Sequence, residues 1–391
     1  MDQRSTKVNT AWLIAALPVV FFLVNIYRMR GGSAALYIAA LAAAGAPGFP
    51  ALILRRERLT PFILFSAVYT VTLGLNMALI GNIDPGSFVT SILLLGMTAV
   101  MLHYGWTKTQ GAAGFYASAA IIALALMTRS KTRIFGSSNN YISVILLLAV
   151  TLYYCPIAAR KRKLTLIDLA PAAVCFGLSV WAGSRGGILS TAVLLVLIPM
   201  VWLAQGVSGN TKRYAVLWIA VPVAVIAVLL KSGDISRWFM SLGKFDSRGV
   251  FSGDRLKIWG AYFEAMSSNP LYFLLGAPLK EIPQITVIGD NCHNSFLQLH
   301  AFNGIIPLVL FTALGIGAAV RYIRQKDYLT LSLLAVITLR GMTDKFIFSQ
   351  YGMPVMLYLV FYPFVRTETG ETAPETKTEK ERTEPCTENL L

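Results

Sequence analysis

Long apolar runs parted by short polar segments recur through this chain, and one long polar stretch breaks the rhythm. The runs are Ala11–Ile26, Leu36–Leu54, Leu59–Ile80, Phe88–His103, Ala112–Thr128, Tyr141–Ala158, Leu166–Ala182, Ile188–Ala204, Tyr214–Leu230, Phe296–Val320, Tyr328–Leu339 and Phe346–Val365. A helix needs roughly 20 apolar residues to cross a ~30 Å hydrocarbon core. The pattern therefore predicts an all-α, polytopic membrane protein with about 12 transmembrane helices. Tyr328–Leu339 is short for a span, and Pro47 and Pro50 should kink or shorten the second one. Arg28 and Arg30, not a small-residue cleavage site, follow the first run, so it reads as an uncleaved span. No strong internal repeat is apparent, which counts against the inverted-repeat transporter folds. Two domains result: a transmembrane domain over 1–365, including a loop at 231–292, and a tail over 366–391.

Composition agrees with the pattern. Hydrophobic residues make up 55% of the chain and charged residues 14%, where a soluble protein carries about 25% charged. The net charge is +15, although the tail from Arg366 holds seven Glu against four Lys and Arg. In a membrane protein such a basic body fits lipid head groups or a phosphorylated substrate, not nucleic acid. The tail is polar and is expected to be disordered. Basic clusters at 55–58, 160–163, 212–213 and 321–326 share one side, which the positive-inside rule assigns to the cytoplasm, together with both termini. Arg28, Arg30, Arg129, Lys131, Arg133, Arg185, Arg340 and Lys345 then fall on the outer side. They read either as snorkelling residues or as a basic vestibule for a phosphate-rich ligand. Four scattered cysteines make no disulfide framework, and three histidines without a CxxC make a zinc site improbable.

The chemistry concentrates at Asp290-Asn291-Cys292-His293-Asn294-Ser295-Phe296, where the long loop turns into a new apolar run. Asp290, Asn291 and Asn294 are N-cap types, so a helix should begin within a residue or two of His293. Positive charge at a helix start lowers an imidazole's pKa and favours a neutral base. His300, seven residues on, reads best as a buried polar residue paired with a neighbouring helix. Arg185 stands on a turn flanked by Gly183, Gly186 and Gly187, which allow a ligand close to the backbone. In the loop, Asp254–Met266 has helical periodicity, with Arg255, Trp259, Tyr262 and Met266 on one face and a stop at Asn269-Pro270. Leu271–Ala277 is apolar but too short to span, so it should dip into or lie on the membrane edge. Arg248, Arg255 and Lys257 among aromatics suit the head-group level. A neutral histidine with two arginines suits displacement at a sugar carbon that carries a diphosphate. No Asp-x-Asp and no P-loop pattern occurs, so the expectation is no metal, no cofactor and no ATP.

Three patterns resemble one family. His293-Asn294 followed by nine residues and Gly304, the run Gly183-Ser184-Arg185-Gly186-Gly187, and Gly253-Asp254-Arg255 with Trp259 are similar to signatures of the bacterial O-antigen ligase and polymerase superfamily. The layout, about twelve spans with one large loop before the histidine, is similar too. Pro307 departs from the pattern, which has Gly, Thr or Tyr there more often. The resemblance implies a GT-C-like transferase of lipopolysaccharide biosynthesis in the bacterial inner membrane, with its site facing the periplasm. It implies polysaccharide transfer from undecaprenyl diphosphate to lipid A-core without metal or ATP, and inversion at the anomeric carbon. By carry-over His293 would be the base, while Arg185 and Arg255 would hold the diphosphate. Arg248, Lys257, Trp259 and Asn294 would contact substrate, and Arg129, Lys131 and Arg133 the acceptor's phosphates. An O-antigen polymerase with the same donor is the main alternative; a polysaccharide-lipid flippase is the other. Nearly charge-free span interiors disfavour the flippase.

Overall fold

A computed structural model describes residues 3–29, 31–128, 140–206, 253–287, 291–349 and 352–365. All regular structure among them is helical. The helices are α1 (Gln3–Met29), α2 (Ala34–Gly45), α3 (Gly48–Leu54), α4 (Arg56–Leu79), α5 (Pro85–Tyr104), α6 (Lys108–Thr128), α7 (Asn140–Ala159), α8 (Ala170–Ala182) and α9 (Arg185–Ala204). There follow α10 (Gly253–Ser268), α11 (Pro270–Leu275), α12 (Pro283–Thr286), α13 (Ser295–Asn303), α14 (Ile305–Arg324), α15 (Tyr328–Gly341) and α16 (Met353–Val365). Among the described residues eight helical segments are long and apolar enough to cross a membrane, and three shorter apolar ones accompany them. The chain is a polytopic membrane protein. The expected span Tyr214–Leu230 and the tail lie outside the described residues.

Helix α7 is the axis of the bundle. Every residue from Ile142 to Ala158 is buried, as an all-round apolar helix must be when other helices enclose it. It packs against α6, α8, α9, α15 and α16. Helix α14 is peripheral, with only 22% of its apolar window buried. A bilayer would cover the rest.

Three expected spans are subdivided. Pro47 separates α2 from α3, as its fixed ring requires. There Gly45 and Gly48 meet the α5 backbone at Leu93 and Gly96 so closely that a Cβ would collide. The run Phe296–Val320 breaks at Gly304, whose φ is 76°. A nine-residue helix, α13, therefore stands between His293 and the spanning helix α14. Gly304 has a second reason to be glycine: a Cβ would overlap the carbonyl of Leu274. Pro307 is accommodated in the first turn of α14, where its missing N–H has no intrahelical partner to lose. Among the described residues of the last run only Met353–Val365 is helical, and Phe346–Ser349 forms turns.

The described loop segments carry a small core of their own. Ile258, Tyr262, Ala277, Leu279, Ile282, Ile285, Cys292 and Ala301 bury one another beside the main bundle.

Candidate functional site

His293 is held by its neighbours' backbones and side chains. Asn294 caps α13, its Oδ1 accepting from the N–H of Phe296 (2.9 Å) and Leu297 (3.2 Å). The helix thus starts two residues after the histidine, as the cap residues predict. Asn291 Oδ1 accepts the His293 N–H at 2.8 Å, an Asx turn that fixes the histidine at φ 49°. That left-handed region is uncommon outside glycine, though histidine and asparagine are enriched in it. Trp259 Nε1 donates to the carbonyl of Cys292 at 2.9 Å, and Cys292 N–H donates to Gln298 Oε1 at 3.1 Å. The indole of Trp259 therefore ties α10 to the segment that carries the histidine.

Ser295 links that segment to the end of α15. Its hydroxyl donates to the carbonyl of Asp344 (2.5 Å) and accepts from the N–H of Phe346 (3.1 Å) and Ile347 (3.2 Å). His293 consequently lies within the field of Asp344, Lys345 and Arg255. The histidine is half-buried, and that burial is the largest force pushing its pKa below the ordinary value. Asp344 pulls the pKa up, while Arg255 and Lys345 push it down. The imidazole is neutral near pH 7, as the sequence leads one to expect, but the main cause is desolvation and not a helix dipole. The buried thiol of Cys292 is raised to about 12 by desolvation, against the pull of Lys345. A thiol so shifted is no nucleophile at neutral pH.

Arg340 forms the floor of the cluster. It is the largest fully buried side chain among the described residues, 2% exposed. Its Nη2 donates to Asp344 Oδ2 (3.0 Å) and to the carbonyl of Asn140 (3.3 Å), and Nη1 donates to Thr343 Oγ1 (2.9 Å). Asp344 Oδ1 also accepts from the Lys345 N–H at 2.9 Å. The pair thereby joins α15 to the start of α7. Arg340 Nη1 lies 3.3 Å from where a Cβ of Gly186 would stand, so the start of α9 is a direct neighbour. That start is well formed. Gly183 closes α8 in the left-handed region at φ 70°, and Ser184 caps α9. The Ser184 hydroxyl accepts from Gly187 N–H and donates to Asn140 Oδ1 at 3.0 Å. Gly187 has no room for a Cβ against Ser143 of α7.

The structure thus brings together His293, half-buried Arg255 and the backbone of Arg185, through Arg340 and Asp344. The Arg185 side chain lies outside the described residues, as do Arg129, Lys131, Arg133 and Arg248. Lys257 is exposed on α10, with no contact to the cluster among the described residues. Asn294 serves as the cap. Arg340 and Lys345 read from the sequence only as outer cations, and Asp344 belongs to no motif there. The i,i+4 spacing of Arg340 and Asp344 was the available signal, and Asp344 itself lies just past the end of α15.

His300 is a different case. Its Nε2 lies 2.9 Å from the carbonyl of Phe273, and its Nδ1 lies 2.6 Å from the hydroxyl of Tyr262. A carbonyl only accepts, so Nε2 carries the proton and Nδ1 accepts from the tyrosine. Both ring nitrogens are engaged, which matches a buried polar residue paired with neighbouring helices.

Comparison of the sequence with protein-family models and with curated proteins gives no match.

Proposed function

We propose that this chain is a membrane glycosyltransferase of the O-antigen ligase type, working without metal or ATP. The observation that carries the reading is His293, held neutral by burial at the rim of the bundle, with Arg255 and Lys345 in its field and a buried Arg340–Asp344 pair beneath it. A neutral imidazole there can take the proton of an acceptor hydroxyl as its oxygen attacks the anomeric carbon. The bond from that carbon to the diphosphate breaks, and the diphosphate leaves with the electron pair. Its charge meets Arg255 and Arg185, whose forked donors match phosphate oxygens. Asp344, fixed by Arg340, stabilises the imidazolium that forms. One displacement inverts the anomeric centre. The donor is polysaccharide on undecaprenyl diphosphate and the acceptor lipid A-core, at the periplasmic face of the bacterial inner membrane. Resemblance of the His293, Arg185 and Arg255 motifs supports these identities, and the cluster's basic character supports a diphosphate.

The test is the purified full chain in vesicles with undecaprenyl-diphosphate-linked glycan and lipid A-core. The expected product is lipid A-core bearing the glycan, formed equally with and without EDTA. Lengthening of the undecaprenyl-linked glycan with lipid A-core left untouched would overturn the ligase reading in favour of a polymerase. No transfer to either acceptor from active, folded protein would remove both.

A further inference from the structure

We propose that α11 is a re-entrant wedge, entering the leaflet at the His293 end of the bundle and resting against lipid acyl chains. The inference is independent of the function proposed above, because it uses no residue of the charge cluster.

The first observation is continuity of apolar surface. Helix α11 is six residues long, far short of a span. It packs on α4, α13 and α14. On α4 it meets the last turns, since Asn76 reaches it, and it meets the break just before α14, since Gly304 abuts Leu274. Its own Leu271, Phe273 and Leu274 are 39%, 44% and 47% exposed. The adjoining turns of both spanning helices also expose apolar side chains, Leu79 on α4 and Ile306 on α14. One apolar band therefore runs from the spans across α11 without a polar interruption from its own exposed side chains.

The second observation is where the backbone polar groups go. Phe273 O receives His300 Nε2 at 2.9 Å. Leu275 O receives Asn76 Nδ2 at 2.5 Å, and Ala277 O receives Asn82 Nδ2 at 2.8 Å. Asn76 and Asn82 also hold Ala301 O, at 2.8 and 2.9 Å. Asn82 Oδ1 accepts the Leu279 N–H at 2.9 Å. Surface turns leave such carbonyls to water. Here protein side chains satisfy them, Asn76 fully buried, His300 only 1% exposed and Asn82 half-buried. Non-helical backbone persists at membrane depth only when protein supplies its hydrogen bonds. The clamp gives α11 that condition and gives His300 a role separate from any reaction.

The occupant is bulk acyl chain, since the exposed face continues the surface that lipid already covers. The test uses the full chain with Cys386→Ser, the remaining cysteines Cys155, Cys175 and Cys292 being buried. Nitroxide labels are placed by Leu271→Cys and Leu274→Cys separately, and by Val287→Cys as a reference, an 86% exposed position on the same loop. The protein is reconstituted in synthetic phosphatidylethanolamine and phosphatidylglycerol vesicles free of polyprenol. Collision with dissolved oxygen and with a water-soluble nickel chelate is then measured. The expected result is an oxygen-to-nickel ratio several-fold higher at both 271 and 274 than at 287. Ratios at both α11 sites equal to that at 287 would overturn the proposal. So would loss of both collision signals, which would mean that protein covers the face, or an oxygen signal that appears only after undecaprenyl diphosphate is added.

Discussion

Charge is buried at both ends of α7, and the two sites are built on opposite principles. At the end that begins with Asn140, Arg340 and Asp344 pair at 3.0 Å under a half-buried histidine, with Arg255 and Lys345 in the same field. At the end that finishes with Ala159, Lys108 and Asp168 pair at 2.6 Å. There Asp168 is saturated. It also accepts from Tyr153 (2.5 Å), from the Thr165 hydroxyl (2.7 Å) and from the Thr165 N–H (2.8 Å), a capping box on the 3-10 turn Leu166–Leu169 that leads into α8. One carboxylate faces one cation and three further donors, so nothing is left over for a ligand. Among the described residues the His293 end combines three cations, Arg340, Arg255 and Lys345, with one carboxylate, and Arg340 Nε has no hydrogen-bond partner among them. A balanced cluster fastens helices; one with surplus cation can also bind an anion.

The sharpest way to break this comparison is His293→Ala. Loss of a general base should lower kcat by ~10²- to 10⁴-fold, with membrane abundance unchanged because the side chain is only half-buried. Near-normal product at matched protein level would end the base assignment. Next in size is Arg340→Met. It leaves Asp344 buried without its counter-ion, a change that typically costs ~3–5 kcal/mol, and should lower the melting temperature in detergent clearly. Lys108→Met should cost about 1 kcal/mol or less, since that lysine is partly exposed and Asp168 keeps three other donors. Equal melting shifts from the two variants would erase the distinction between the ends. Arg255→Lys comes third. It keeps the charge but loses the planar fork, and should cost about tenfold in kcat/KM, or ~1.4 kcal/mol, with no change in melting. His300→Phe should do the reverse: lower melting, because Tyr262 and Phe273 lose their partner, with turnover per folded molecule close to wild type.

Much of this was legible in the chain. Apolar runs of spanning length locate the helices of the bundle, because in lipid a helix satisfies its own backbone. The cap types around His293 locate the start of α13 within two residues. What hydropathy could not carry was the break at Gly304. Its φ of 76° and its contact with the Leu274 carbonyl depend on α11, thirty residues earlier and packed from outside the helix. The same limit hid Asp344. A lone acid beside Lys345 looks like an exposed ion pair, and only the fold reveals that Ser295 holds its carbonyl, that Arg340 holds its carboxylate and that its charge acts on the histidine. In the sequence the glycines of 183–187 suggest room for a ligand. Gly187 in fact gives its space to Ser143, and Gly186 faces Arg340.

The smallest expected effect is also the most specific to the cluster, because it is a matter of sign. Burial holds the His293 pKa below its ordinary value. Only the neutral imidazole accepts a proton, so kcat/KM should stay level through neutral pH and fall only below the usual histidine range. Arg255 lowers that pKa, so Arg255→Gln should raise it and move the acidic limb to higher pH. Asp344 raises it, so Asp344→Asn should move the limb to lower pH, read per folded molecule because the Arg340 pair is broken as well. Lys345→Gln should follow Arg255→Gln in direction. All four profiles must be taken at one ionic strength, since salt screens charges that are partly in water. Opposite displacements in Arg255→Gln and Asp344→Asn identify His293 as the group whose deprotonation governs transfer. Displacement in one common direction, or a limb that ignores both charges, would assign that titration to some other group and detach the cluster from the chemistry.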